Sequence, residues 1–291
     1  MINKMEENRI KGMLWGLIVG DALGSPIQFS GKDDHPWITS MEACPVFGLP
    51  PGYWTDDGSM AMCVMESYLA KGGYDLKDIG REFCKWMYFG KHSSVAGRAF
   101  DIGGATSDAI SAIRYRGSFV NGTEESQGNG SIMRFAPSYL IARKENRPEI
   151  MREVSDLTHS STKVREVVSK FAGILDEHMA GKRTQVKSEY NDRAEVNNSG
   201  WAVSTLEAAL WAFETTDAFD DGMIAAVNLG GDSDTIGAVY GQIAGAYYGL
   251  DAIPKQWIDA IFGYKKVDSF ISRFTSAVSI SQCNSRKENN G

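Results

Sequence analysis

The chain is 291 residues long, 43% hydrophobic and 23% charged, with a formal net charge of −7. Those proportions belong to a globular protein with a full core. The acidic balance argues against nucleic acid as a partner, since that would call for a basic face. Length alone allows one large domain or two small ones, but no shift in composition marks a boundary. A single domain over residues 1–280 is expected. Cys44, Cys63, Cys84 and Cys283 lie far apart with no C-x-x-C pair. That disfavours a zinc knuckle or a disulfide framework and leaves buried, reduced thiols.

In chain order, the apolar run "MLWGLIVG" (13–20) comes first. It is too short to span a bilayer, and the acidic "MEEN" before it is wrong for a secretory signal. A soluble cytoplasmic protein is expected, with no membrane partner. "DDGSMAMCVMESYLAKGG" places Met60, Cys63, Val64 and Tyr68 on one helical face and stops at Gly72-Gly73. "DLKDIGREFCKWMYFG" repeats the pattern with Ile79, Phe83, Trp86 and Met87. "IMRFAPSYLIA" is a further helical run. The stretch from 149 to 182 has the length of two helices, broken near "THSST". The polar stretch 182–200 reads as a loop and a candidate mobile rim. In "GWAVSTLEAALWAFE", Val203, Leu206, Leu210 and Phe213 share a side. The small-residue run "AVYGQIAGAYYG" ends the series, and the tail 281–291 lacks the apolar content to pack, so it is expected to be disordered. Long alternating runs of β-branched residues are absent. The fold class expected is all-α, a compact single-domain helical bundle.

Three stretches combine glycine, aspartate and hydroxyl residues at expected helix starts: "GDALGSPIQF" (20–29), "YWTDDGSM" (53–60) and "LGGDSDTIG" (229–237). Each taken singly reads as helix capping, because Ser, Thr and Asp accept hydrogen bonds from orphan amides and suit the dipole there. Together, "TDD" and "DSDT" supply more acids than caps can use. Thr55, Asp56 and Asp57 with Asp232, Asp234 and Thr235 form an oxygen-only set that suits hard cations such as Mg²⁺ or Mn²⁺. Two such ions can share bridging carboxylates about 3.5–4 Å apart. The EF-hand loop is absent, and Asp56-Asp57 lacks the D-D-x-x-D spacing of isoprenoid synthases. "GNGS" before a helical run offers backbone amides and a helix N-terminus to an anion, although a lone G-N-G is commonly a simple turn. Trp54, Tyr240 and Tyr247 are expected in the core rather than along a cleft.

The ordered series "GDALG", "TDD", "FDIGGAT", "GNGSIMR", "THSS" and "GGDSDTIG" resembles the ADP-ribosylglycohydrolases, nearest the branch that reactivates dinitrogenase reductase. The likeness runs from about residue 10 to 265. It implies an all-α fold with a dinuclear Mg²⁺ or Mn²⁺ cleft. The implied activity is hydrolysis of ADP-ribose from modified side chains, arginine in that branch, with an ADP-ribosylated protein as substrate and ADP-ribose as product. Sequence gives no sign of oligomeric state, and a monomer is the default expectation. The family's metal ligands fall on Thr55, Asp56, Asp57, Asp232, Asp234 and Thr235. Its loop beside the substrate ribose falls on Phe100, Asp101, Ile102 and Gly103, with Asp101 as the acid/base carboxylate. Its diphosphate turn falls on Gly128, Asn129, Gly130, Ser131 and Met133, and its nucleotide-side histidine on His159. One position departs: Gln28 stands where the family reads glutamate, and an amide cannot exchange protons at neutral pH. Three readings follow from it. Gln28 is an engineered trap, or a natural variant in which Asp101 does the chemistry, or the mark of a non-catalytic binder of ADP-ribosylated protein.

Overall fold

The structure, a computed structural model, describes residues 3–279; the tail expected at 281–291 lies outside the described residues. Twelve α-helices make up the described chain: α1 (Lys4–Gly24), α2 (Asp56–Lys71), α3 (Leu76–Phe89), α4 (Gly104–Arg116), α5 (Phe135–Glu145), α6 (Glu149–Asp156), α7 (Thr162–Met179), α8 (Ala202–Glu214), α9 (Phe219–Val227), α10 (Ser233–Tyr248), α11 (Lys255–Ala260) and α12 (Tyr264–Val278). Among the described residues, β-pairing is limited to two isolated bridges, Cys44 with Leu49 and Gly128 with Trp201. None of the described helices is long and apolar enough to cross a membrane. One hydrophobic cluster includes buried residues of nearly every helix.

The centre of the fold is the antiparallel pair α1 and α10, the most extensive helix–helix contact. Glycines at every fourth position let their backbones touch. A Cβ on Gly16 would lie 2.2 Å from the Gly241 carbonyl oxygen, and one on Gly20 would lie 2.1 Å from that of Gly237. Side chains of any size would hold the axes further apart, toward the usual 8–10 Å. Close approach has a chemical result. Because the pair is antiparallel, the C-terminal turn of α1 lies against the N-terminal turn of α10, with the Ser233 hydroxyl donating to the Gly24 carbonyl at 2.8 Å.

That placement corrects one expectation. "GDALG" is not a helix start; it is the last turn of α1, followed by a short 3-10 turn over Ser25–Ile27. The break expected near "THSST" lies between α6 and α7, as the spacing indicates. Trp54 and Tyr240 are buried and Tyr247 packs against the core. Cys44 and Cys63 are buried free thiols, and Cys84 is partly buried.

Candidate active site

Capping does not explain the acidic motifs. Thr55 and Asp232 occupy the N-cap positions of α2 and α10, and neither side chain makes a capping hydrogen bond. The cap of α2 comes from another helix. Asp21, in the last turn of α1, accepts from the Thr55 amide at 2.8 Å and the Thr55 hydroxyl at 2.9 Å through Oδ1, and from the Gly58 amide at 2.8 Å through Oδ2. With the orphan amides satisfied from outside, Asp56 and Asp57 are left for other work. Gly58 belongs to this arrangement: a Cβ there would meet the Trp54 ring at 2.9 Å and Asp21 Oδ2 at 3.2 Å.

Six aspartates converge at this point: Asp21, Asp56, Asp57, Asp101, Asp232 and Asp234. Carboxylate oxygens of Asp21, Asp57 and Asp234 lie within 4.8 Å of one another, all three residues buried. Burial pushes the Asp21 carboxyl up to about 7, against the pull of the Gly58 and Thr55 donors. Burial, reinforced by the neighbouring carboxylates, holds Asp56, Asp57 and Asp234 well above the usual range. Asp232 is raised by burial and partly relieved by Asn129, whose amide donates to it at 2.5 Å. Such a cluster is unstable as a set of bare anions.

The donors fit a hard divalent cation. The Thr55 hydroxyl has one proton, and its nearest acceptor is Asp21, yet Asp57 Oδ2 and Asp234 Oδ2 stand 3.3 and 3.4 Å from the same oxygen. Those two approaches bring acceptors together, and a shared cation reconciles them. Asp57 Oδ1 and Asp101 Oδ2 are buried with no hydrogen-bond partner, again leaving lone pairs for a cation or a proton.

Above the cluster opens a cavity of about 660 Å³ lined by Asp56, Asp101, Ile102, Gly103, Gly128, Asn129, Gly130, Met133, His159, Asp232, Asp234 and Thr235, among others. The sequence-predicted residues thus come together from five separate segments. Thr55 and Asp57 are buried below the lining. Phe100 is not part of the wall; it packs beneath it with Cys44, Leu49 and Phe47. Asp101 adopts φ +58, a left-handed conformation uncommon for a side-chain-bearing residue. Burial raises its carboxyl, and the neighbouring Gln28 amide and Asp234 partly offset this. Gln28 itself is buried, with neither Oε1 nor Nε2 in hydrogen-bond geometry to any group. Its loop is held to the "GGDSD" loop, the Phe29 amide donating to the Gly231 carbonyl at 2.6 Å and the Gly231 amide to that of Ser30 at 2.8 Å.

The "GNGS" segment also differs from expectation. The helix begins at Phe135, so Gly130 and Ser131 stand on consecutive turns rather than on a helix N-terminus. The turn is closed by the amides of Ile132 and Met133, both donating to the Asn129 carbonyl. Among the described residues, the amides of Gly130 and Ser131 donate to no protein acceptor, and the buried Ser131 hydroxyl has no partner. The anion-binding capacity therefore belongs to the turn's own amides. The polar loop 182–200 ends in the wall: the Gly200 carbonyl accepts from the Asn129 amide at 3.0 Å, and the Asn198 carbonyl from the Asp232 amide at 2.9 Å.

His159 is presented to the cavity in one protonation form. Arg134, fully buried and with its guanidinium over the Phe83 ring, donates to Thr158 Oγ1 at 2.7 Å, and that oxygen lies 2.8 Å from His159 Nδ1. The buried Thr158 hydroxyl finds no other acceptor, so its proton goes to Nδ1 and the ring carries its own on Nε2. Burial and then the Arg134 charge lower the His159 pKa to about 3, which keeps the ring neutral. Nε2 is the edge beside Gly128 and Gly130, where a Cβ would approach it to 3.4 and 3.3 Å.

Sequence reasoning passed over Asp21, Arg134, Thr158, Thr106 and the cavity aromatics Phe29 and Phe47. Asp21 was visible within "GDALG", but its role depends on where the end of α1 meets α2. Phe29, 66% exposed at φ +65, is an unpaired aromatic at the cavity wall that no periodicity could mark.

Comparison with known proteins gives a consistent result. The family described as ADP-ribosylglycohydrolase matches residues 3–283. An ADP-ribosylarginine hydrolase, Tri1, of Serratia proteamaculans (strain 568) is 33% identical over 285 residues, covering 90% of this chain and 77% of its own. The ADP-ribosyl-[dinitrogen reductase] glycohydrolase of Rhodospirillum rubrum is 28% identical over 275 residues, covering 87% and 90%. A solved structure described as an ADP-ribosylglycohydrolase-related protein complex superimposes with a TM-score of 0.82 at 32% identity, over 95% of this chain and all of that one. With its helical core, its convergent aspartates and these matches, the chain belongs to the ADP-ribosylglycohydrolase family.

Proposed function

We propose that this protein hydrolyses the N-glycosidic bond joining ADP-ribose to a modified arginine side chain, reversing mono-ADP-ribosylation of a protein. The observation that carries this reading is the convergence of six buried aspartates below a cavity walled by a glycine turn and a neutral histidine. The hydrolase names of the relatives support it, and nothing in them favours the non-catalytic binder that Gln28 suggested.

Thr55, Asp56, Asp57, Asp232, Asp234 and Thr235 are the proposed ligands of two divalent cations, Mg²⁺ or Mn²⁺. When bound, such ions polarise sugar hydroxyls and make a bound water more acidic. Asp21 is assigned a positioning role, because its oxygens already hold the first turn of α2. The free amides of Gly130 and Ser131 suit a diphosphate, and His159 Nε2–H supplies a neutral donor beside them. Asp101 manages the protons. As the acid, it gives its proton to the departing guanidine nitrogen while the anomeric carbon takes on oxocarbenium character. As the carboxylate, it then takes the proton of the attacking water. A raised pKa on a buried carboxyl is what that exchange needs near neutrality.

The test is release of ADP-ribose from an arginine-modified protein with Mg²⁺ or Mn²⁺, by this chain and by Gln28→Glu. Turnover by this chain is expected, and chelation is expected to remove it. If both forms are inert while ADP-ribose still binds, the hydrolase reading fails and the binder stands. Thr158→Val provides an independent check on the histidine. The volume is kept but the relay is broken, so the ¹⁵N shifts of His159 should report a changed tautomer mixture. Affinity for ADP-ribose should weaken about tenfold, the scale of one buried hydrogen bond.

A further inference from the structure

The protein is acidic overall, yet one groove on it is not. α3 places Lys77, Arg81, Lys85 and Phe89 at successive fourth positions, all exposed, so three cations and an aromatic ring line one row. Across from them α4 contributes Arg114, and the loop after it Phe119, enclosing a groove of about 570 Å³ with an apolar floor of Ile113 and Cys84. Among the described residues, Lys77, Arg81 and Arg114 make no ion pair, and Lys85 shares buried Glu82 with Lys91. The Arg114 guanidinium lies 4.0 Å from the Tyr88 ring centroid, with the rings of Phe89 and Tyr115 also within 5.8 Å. Phe89 and Tyr115 are 65% and 71% exposed. Unpaired cations clustered around exposed aromatic surface stand out in a chain of net charge −7, and exposed apolar surface rimmed by polar groups marks an interaction site.

We propose that this groove docks an acidic, amphipathic segment of the modified protein substrate. Its carboxylates would pair with Lys77, Arg81 and Arg114, and its apolar side would cover Phe89, Phe119 and Tyr115. The proposal rests on the hydrolase reading, and the position of the groove ties the two together. The first turn of α4, at Ala105 and Thr106, lines the active-site cavity, and Arg114 follows about 12 Å further along the same helix. A segment held there leaves its neighbouring arginine within reach of the cleft. Recognition of the target by charge then adds to recognition of the ADP-ribose itself. A nucleic acid would satisfy the cations as well, but the overall negative charge of the protein repels a polyanion, so a short acidic segment is the better match.

The probe is a synthetic helical peptide with glutamate at every fourth position, leucines beside them and one ADP-ribosylated arginine near an end. Lys77→Glu/Arg81→Glu alters exposed groove residues, and Phe89→Ala/Tyr115→Ala removes the exposed rings beside Arg114. In each, KM for the peptide is expected to rise about tenfold, with kcat and the hydrolysis of free ADP-ribosylarginine unchanged. Added salt should raise KM of the unaltered protein and leave the charge-reversed variant nearly unaffected. An unchanged KM in both variants overturns the proposal, as does equal turnover of a peptide with lysine for glutamate, or equal competition by single-stranded DNA. If the unaltered protein leaves free ADP-ribosylarginine intact, the hydrolase reading is what fails. Fluorescence anisotropy with the unmodified peptide then decides the groove by the same two variants.

Discussion

Gly241→Ala is expected to destabilise the protein by about 3 kcal/mol or more, although alanine is the better helix former by about 1 kcal/mol. The added methyl would lie 2.0 Å from the Gly16 carbonyl oxygen. That atom is backbone inside a helix, so the clash is relieved only by separating α1 from α10. Separation moves Asp21, and the first turn of α2 that it holds, away from Asp234, so divalent-cation affinity should fall along with the melting temperature. Gly173→Ala on α7 is the control. Nothing lies within 4 Å of a Cβ there, and the residue is exposed. That variant is expected to gain about 0.5–1 kcal/mol from the propensity difference alone. Thermal unfolding followed by circular dichroism compares the pair. Equal effects of the same sign would show that close approach does not govern this helix contact.

Asp57→Asn and Asp234→Asn should separate stability from function. Each is expected to lower turnover a hundredfold or more by removing a proposed cation ligand. At pH 8 without cation, each should raise the melting temperature, because it removes one of several like charges buried together. The sign of the pH dependence follows from the raised carboxyls. The unfolded chain releases these protons near the ordinary value of 3.8, while folded Asp21 holds its own to about 7. Between those limits the native state binds more protons, so stability without cation falls as pH rises through that window. Saturating Mg²⁺ or Mn²⁺ should flatten the decline, since the ions replace the protons. Unfolding midpoints from pH 4 to 8, with and without cation, would read this out. A cation-free protein that gained stability with rising pH would contradict the cluster as described.

Much of the site was legible because its chemistry is concentrated in short motifs. "TDD" and "GGDSDTIG" each carry more oxygen donors than a helix cap can use, and that excess is a property of composition and spacing. The helices were legible for a similar reason, since apolar residues at helical spacing declare a buried face before any partner is known. The positions of their ends were less so. α5 starts at Phe135 because the chain first closes a turn on the Asn129 carbonyl, an arrangement supported by contacts with Gly200 from a distant loop. The four-residue glycine spacing of α1 and α10 was present in the chain too, but on one helix it only weakens the helix. Its meaning required the second helix.

The sequence by itself therefore determined an all-helical chain, an oxygen-only set of hard-cation donors and a glycine turn with free amides. Tertiary structure decided which groups meet and what each has left to give. Thr55 and Asp234 are 179 residues apart, and they approach to 3.4 Å only because glycines let α1 and α10 touch. The end of α1 also brings Asp21 to cap the start of α2. Local propensity cannot report such an exchange, because it depends on backbone distances between segments that share no sequence neighbourhood. The Thr158 hydroxyl, which accepts from Arg134 and leaves its proton for His159 Nδ1, was hidden for the same reason.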